Sequence, residues 1–172
     1  MEVVTLKNKK FMYKSFLILF GIFLISIYAM VPFNSKKETI NTNWMNDVND
    51  NFKTRELSIP GTHDSGATHS IFDVSGRCQD LDIESQLNIG VRFFDIRLEM
   101  RNNKFHIVHS FVDQKLTFQE TLEDFVNFIK KYPSEFLLVS IKKETENKNS
   151  TLSFEECLLN YFNEYQDYIS YS

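Results

Sequence analysis

Cysteine is scarce in this chain: Cys78 and Cys157 are the only two among 172 residues. Two cysteines make no disulfide framework, and they stand in no zinc-binding spacing. Whether they pair in an oxidising compartment is open, although Cys157 falls on an apolar helical stripe where a thiol packs as a small hydrophobe. Clustered basic residues are lacking too. Net charge is −4, and the first 35 residues carry Lys7, Lys9, Lys10 and Lys14 against Glu2, a local +3 that leaves the remainder at −7. An acidic body without a basic face excludes nucleic acid as a partner. A disordered composition is also absent: 42% hydrophobic and 15% aromatic content supports one folded domain with its own core.

What is present begins with a cationic, polar segment at residues 1–13, followed by an apolar run over residues 16–33 that only Gly21, Ser26 and Pro32 interrupt. A positive region before such a run predicts a hydrophobic helix serving as an export signal or a membrane anchor. No clean Ala-x-Ala cleavage site follows, and the two alternatives stay open. Either one puts the body outside the cytoplasm. Residues 1–35 are therefore expected to be leader or anchor, 36–50 a linker that tucks its Trp44-Met45 pair against the domain, and 51–172 the folded body.

Within that body, Leu57-Ser-Ile-Pro-Gly-Thr-His-Asp-Ser-Gly-Ala67 ends a short apolar run at Pro60-Gly61 and presents His63 and Asp64 directly afterwards. It predicts a strand over 55–59 that the chain leaves at Pro60-Gly61, with His63 just past the strand end. Leu81, Ile83, Leu87 and Ile89 predict a brief helix or turn closed by Gly90. In the next predicted strand, 91–98, alternation puts Phe93, Asp95 and Arg97 on one face and Phe94, Ile96 and Leu98 on the other. The first face carries charges that must be paired or bound to something if buried. Residues 105–109 form a third strand ending in His109.

Thr117-x-x-Glu120 is a capping-box pattern opening a helix to Tyr132, with Phe118, Leu122, Phe125, Val126 and Ile129 as its apolar stripe and Lys130 and Lys131 near its end. Pro133 stops it. The run 136–141 predicts a fourth, parallel strand covered on both sides, with Lys142 at its end. Ser153-x-x-Glu156 opens a last helix to Ile169, striped by Phe154, Cys157, Leu158, Tyr161, Phe162 and Tyr165. Strand and helix alternation predicts α/β units, with His63, Asp95, Arg97, His109 and Lys142 gathered at one rim.

Two imidazoles with two cations suit phosphodiester cleavage. One histidine takes a proton from the attacking hydroxyl and the other gives one to the leaving oxygen, while Arg97 and Lys142 offset phosphoryl charge. Asp64 or Asp95 orients an imidazole or holds Arg97. Ser65 fails the Gly-x-Ser-x-Gly pattern of a nucleophile, because His63 occupies its first glycine position. His63, His69, Asp73 and His106 match no standard metal spacing.

Ser58-Ile-Pro-Gly-Thr-His-Asp-Ser65 followed by Arg92-Phe-Phe-Asp-Ile-Arg97 resembles the X region of the bacterial, metal-independent phosphatidylinositol-specific phospholipases C, and the likeness runs from about Trp44 to Glu144. The resemblance implies a distorted TIM-like (β/α) barrel, of which four strands and roughly the first half are expected here, with an open edge after 136–141 prone to self-association. It implies cleavage of phosphatidylinositol or a glycosylphosphatidylinositol at a membrane surface, with the inositol 2-hydroxyl as nucleophile and a cyclic inositol phosphate leaving first. His63 then matches the general base, His109 the general acid, Arg97 the phosphate-binding arginine, and Asp64, Asp95 and Lys142 the supporting polar groups. Neither cofactor nor metal is expected, because metal-dependent relatives carry an acidic ligand where this chain has Arg97. Ser110 stands where the family often has glycine. Two alternatives accompany this expectation: a catalytically silent, membrane-tethered phosphoinositide-binding module, and a metal-dependent glycerophosphodiesterase on a similar barrel.

Overall fold

The computed structural model describes residues 41–69 and 76–170, which belong to one compact unit spanning residues 40–172. The hydrophobic helix expected at 16–33, and Asp73, lie outside the described residues. No helix among the described residues is long and apolar enough to cross a membrane.

A nine-residue strand, β2 (Phe93–Arg101), is the axis of a five-stranded sheet. Along one of its edges runs β5 (Leu138–Lys143), parallel, from Phe93↔Leu138 to Leu98↔Lys143. The other edge is shared. Its first residues pair in parallel with β1 (Gly61–Thr62), and its last four pair antiparallel with β3 (Lys104–His109). β3 turns through Ser110-Phe111 into β4 (Val112–Thr117), again antiparallel, with a register shift near His106 and Val108.

Three expectations change at this level. Residues 55–59 form no ladder: a 3-10 turn occupies Thr54–Glu56, and pairing begins at Gly61 instead of ending there. Pro60 has no N–H to give, and its carbonyl accepts from Arg92 N and Phe93 N at 2.9 and 3.0 Å, so the ladder starts one residue later. The sharp turn falls at Asp64, with φ of 46°, and Gly61 is not in the positive-φ region. Next, the sheet is mixed: the 103–117 segment is an antiparallel hairpin, and Val112–Thr117 is a strand that its polar residues conceal. Finally, β5 is not covered on both sides. Among the described residues it pairs with β2 alone, and Leu138 and Val139 are each 37% exposed. The open edge expected after this strand is there.

Helices cover one face of the sheet. α1 (Ile83–Asn88) is capped by Asp82, whose side chain accepts from Ser85 N, and Gly90 follows it at φ 100°. α2 (Phe118–Lys131) and α3 (Phe154–Glu164) both carry the expected capping boxes, Thr117 with Glu120 and Ser153 with Glu156. Phe94, Ile96, Leu98 and Met100 of β2 are fully buried, with the Phe94 ring tilted against Phe125 of α2 at 4.9 Å between centroids. Phe105 gathers Phe118, Phe154 and Tyr161 at 4.7 to 6.1 Å between centroids. This packing leaves the Phe93, Asp95 and Arg97 face of β2 free for polar work.

Just before β2, on the same parity as the buried Phe94 and Ile96, lies a charge. Arg92 is fully buried, its Nε donating to Glu135 Oε2 at 2.6 Å and its NH1 to Val91 O and Leu87 O at 2.7 and 2.9 Å. Its NH2 donates to Thr42 O, and its guanidinium lies 4.4 Å from the centroid of Phe128. Glu135 Oε1 accepts from Met45 N at 2.8 Å, while Trp44 Nε1 donates to Gly90 O at 3.0 Å. The pair therefore binds the 41–48 segment to the foot of the sheet, where Met45 is buried.

Candidate active site

β1 and β2 are parallel, with Thr62 opposite Phe94, so His63 leaves its strand level with Asp95. Asp95 and Arg97 point to the uncovered face, alternating with the buried Phe94, Ile96 and Leu98 as the sequence pattern requires. Lys142 stands opposite Arg97 across the parallel ladder. His109 reaches the same level because β3 runs back along β2, which makes its last residue a neighbour of the β1 loop. All six expected residues meet.

Asp64 is their junction. Its carboxylate is 3% exposed, with Oδ2 lying 2.9 Å from His63 Nε2 and 3.5 Å from His109 Nε2 and Oδ1 lying 3.3 Å from Arg97 Nε. The other nitrogen of His63, Nδ1, is 3.0 Å from Asp95 Oδ2. Arg97 forks onto Asp95, Nε to Oδ1 at 2.8 Å and NH2 to Oδ2 at 2.9 Å, and its NH1 donates to Glu144 Oε2 at 3.1 Å. Lys142 Nζ is 3.1 Å from the same Glu144 oxygen.

The Arg97 guanidinium holds the Asp95 carboxyl below the usual carboxylate range against its partial burial, with help from Asp64 N–H and His63. Reciprocally, Asp95 foremost, then Glu144 and Asp64, outweigh burial and raise Arg97. Burial pushes Glu144 up, but Lys142 and Arg97 outweigh it and hold it low. Three carboxylates and two cations leave one negative charge in excess when both imidazoles are neutral. The rim therefore presents a pre-oriented guanidinium inside a net-negative cluster.

Buried polar bonds lock the loop. Ser65 N donates to Asp95 O and Asp95 N to Ser65 Oγ, both at 2.9 Å, and Ser65 Oγ donates to Thr62 O at 3.0 Å. Ser65 is fully buried and ties the loop to β2, which agrees with its failing the nucleophile pattern. Gln86 of α1 donates to Ser65 O at 2.8 Å, and Gln79 to His63 O at 2.6 Å. Among the described residues His69 and His106 join no metal-type cluster with His63; His69 N donates instead to Gln114 Oε1 at 2.7 Å.

Sequence reasoning passed over two members of the site. Glu144 anchors both cations, and continuing the alternation Ser140, Lys142, Glu144 beyond β5 points to it. Cys78 lies with Sγ 3.8 Å from Asp64 Oδ2 and 3.8 Å from His109 Nε2, and no sequence signal marks it. Cys157 is a separate, buried free thiol that donates to Asn103 O at 3.3 Å, so the two cysteines are not paired.

Two histidines flank one carboxylate beside a clamped arginine on the rim of a half-barrel sheet. The family model for the phosphatidylinositol-specific phospholipase C X domain matches residues 57–166. A 1-phosphatidylinositol phosphodiesterase of Staphylococcus aureus is 33% identical over 125 residues, covering 70% of this chain and 40% of that protein. Another from Listeria monocytogenes is 29% identical over 138 residues, covering 77% and 42%. A solved structure of the phosphatidylinositol-specific phospholipase C of S. aureus superposes with a TM-score of 0.67 at 32% identity, covering 74% of this chain and 44% of that one. That of L. monocytogenes gives 0.63 at 30%, covering 74% and 46%. The chain belongs to the phosphatidylinositol-specific phospholipase C X-domain family, and it spans less than half the length of these relatives.

Proposed function

We propose that this chain carries the first half of a phosphodiesterase site that cleaves phosphatidylinositol-type lipids to diacylglycerol and a cyclic inositol phosphate without a metal. His63 takes the proton of the inositol 2-hydroxyl as that oxygen attacks phosphorus. His109 protonates the departing glycerol oxygen. Arg97, held by Asp95 and Glu144, and Lys142 carry the phosphoryl charge, and Asp64 orients both imidazoles. The observation that supports this most directly is the Asp64 carboxylate, 2.9 Å from one histidine and 3.5 Å from the other with Arg97 beside it. Residues 1–35 export or anchor the body, so that the rim works on an extracytoplasmic membrane surface containing phosphatidylinositol or its glycosylated form.

The uncovered β5 edge, with Leu138 and Val139 each 37% exposed, favours a second reading. In it the chain is a membrane-tethered module that binds the phosphorylated headgroup without turnover, or works only when a second copy pairs on that edge. Phosphorus NMR of phosphatidylinositol vesicles with folded protein separates the two. A cyclic phosphate resonance that disappears with His63→Ala supports the enzyme, whereas headgroup binding with no new resonance supports the module. Unchanged turnover in a chelator excludes the metal-dependent glycerophosphodiesterase alternative.

A further inference from the structure

Gln86 is a polar side chain that the chemistry of the site does not use, and it lies 1% exposed in α1. Its Nε2 directs both protons at carbonyls, donating to Ser65 O at 2.8 Å and to Leu81 O at 2.6 Å. Its Oε1 accepts from the Thr62 hydroxyl at 2.8 Å. One amide thus grips the 62–65 turn at both ends, at Thr62 where β1 stops and at Ser65 where the turn meets β2. A buried amide is tolerated when its donors and its acceptor are engaged, and here they are. The helix that carries it is anchored in turn, since Gln86 O accepts from Val91 N at 3.1 Å, just ahead of β2.

Between the two gripped residues stands Asp64, in a place that neither its backbone nor its carboxylate would adopt unaided. Its φ is 46°, in the left-handed region that is unfavourable to a residue with a Cβ. Its buried Oδ1 has no hydrogen-bond partner, so side-chain bonding alone does not fix the carboxylate. The spacings of 2.9 Å to His63 Nε2 and 3.5 Å to His109 Nε2 are therefore imposed through the main chain. From outside the turn, Asp95 pairs with Ser65 and holds it against β2, half-buried Gln79 meets His63 O, and fully buried Gln86 holds it against α1. Arg97 and Lys142 are held by other groups, the Asp95 and Glu144 carboxylates.

We propose that Gln86 is a positioning residue of the active site: from α1 its amide sets the pitch of the 62–65 turn, and with it the placement of His63 and Asp64 relative to His109. The catalytic half of this proposal rests on the roles proposed above; the geometric half does not. Without the amide the turn loses its tie to α1 and relaxes from the left-handed conformation, which moves the carboxylate off the imidazoles. A displacement of about 1 Å costs about a hundredfold in rate where groups must meet in one geometry. The two cations keep their own supports, so affinity for the phosphorylated headgroup stays.

Nuclear magnetic resonance of the full-length chain tests the geometry with or without turnover. In the wild type the side-chain amide protons of Gln86 exchange with water at least about tenfold more slowly than those of Gln79; equal rates overturn the clamp. In Gln86→Met, which keeps the length of the side chain and drops its polar atoms, the ring-nitrogen resonances of His63 and His109 move while those of His106, also on β3, stay. Unmoved rings, or an equal disturbance of His106 and of backbone amides throughout the domain, overturn the positioning role. If Gln86→Met fails to fold, Thr62→Val decides: it deletes the hydroxyl from which Gln86 Oε1 accepts and should move the same two rings by less, and rings that stay put overturn the role. Where turnover is present, Gln86→Met lowers kcat by about ten- to a hundredfold with KM within about twofold; a KM that rises as much as kcat falls overturns the catalytic half. Rings that move as expected in a chain that cleaves no phosphatidylinositol uphold the positioning and sink the catalytic roles.

Discussion

Replacing Arg92 by methionine should unfold or nearly unfold the domain, although the residue lies outside the constellation that does the chemistry. The substitution leaves Glu135 fully buried with one donor, Met45 N at 2.8 Å, and takes the guanidinium away from Val91 O and Thr42 O. Breaking one side of a buried pair costs about 3 to 5 kcal/mol, and orphaned carbonyls add about 1 kcal/mol or more. A total of roughly 4 to 6 kcal/mol is comparable to the whole stability of a small domain. Glu135→Gln should cost less, about 2 to 3 kcal/mol, since Arg92 keeps its carbonyls and the face of Phe128. The double replacement Arg92→Met with Glu135→Leu should recover part of the loss, because no buried charge remains. Urea unfolding followed by fluorescence reads this directly: Trp44 is the sole tryptophan and sits beside the pair, bonded to Gly90 O. A loss below about 1 kcal/mol for Arg92→Met, or a double variant no more stable than Arg92→Met alone, would refute the reasoning.

Arg97→Met should lower kcat/KM on phosphatidylinositol by about 10² to 10³, with circular dichroism unchanged, and a drop below tenfold would remove Arg97 from charge stabilisation. Glu99, 2% exposed, is pushed up by burial but held down to about 2 by Lys148, Thr145 and Arg101, from an ordinary value of 4.5. With the folded value depressed, its contribution is complete above about pH 5 and fades as pH falls toward 2. Glu99→Gln should therefore destabilise at pH 7 and lose most of that effect near pH 2.5, as urea midpoints at the two pH values would reveal. Thr117→Ala removes the side chain that accepts from Glu120 N and should cost about 1 kcal/mol, measured by thermal unfolding.

How much of this was legible beforehand depends on whether a feature is local. The helix starts at Phe118 and Phe154 were readable because a capping box is a contact between residues three apart, and β2's two faces followed from alternation alone. The six expected site residues converged because each sits at a strand end or on one strand face. Strand partners were another matter. Val112-Asp-Gln-Lys-Leu-Thr117 is a strand only because β3 pairs with it, and nothing in its polar composition says so. The apolar run at 136–141 looked doubly covered, yet composition records what a segment prefers and not whether a neighbour is present. Nothing near Arg92 in sequence announces its buried partner, because Glu135 lies 43 positions away. Cys78 became a neighbour of His109 in the same way, across 31 positions.

By itself, then, the sequence determined the capped helices, the alternating strand and the acid/base residue types, all set by contacts within a few residues. Tertiary structure alone decided that β3 runs backward and so delivers His109 to His63, that Asp64 is buried between them, and that Glu144 and Cys78 join the site. Those choices depend on which strand edges meet, and that is settled by packing across distant parts of the chain.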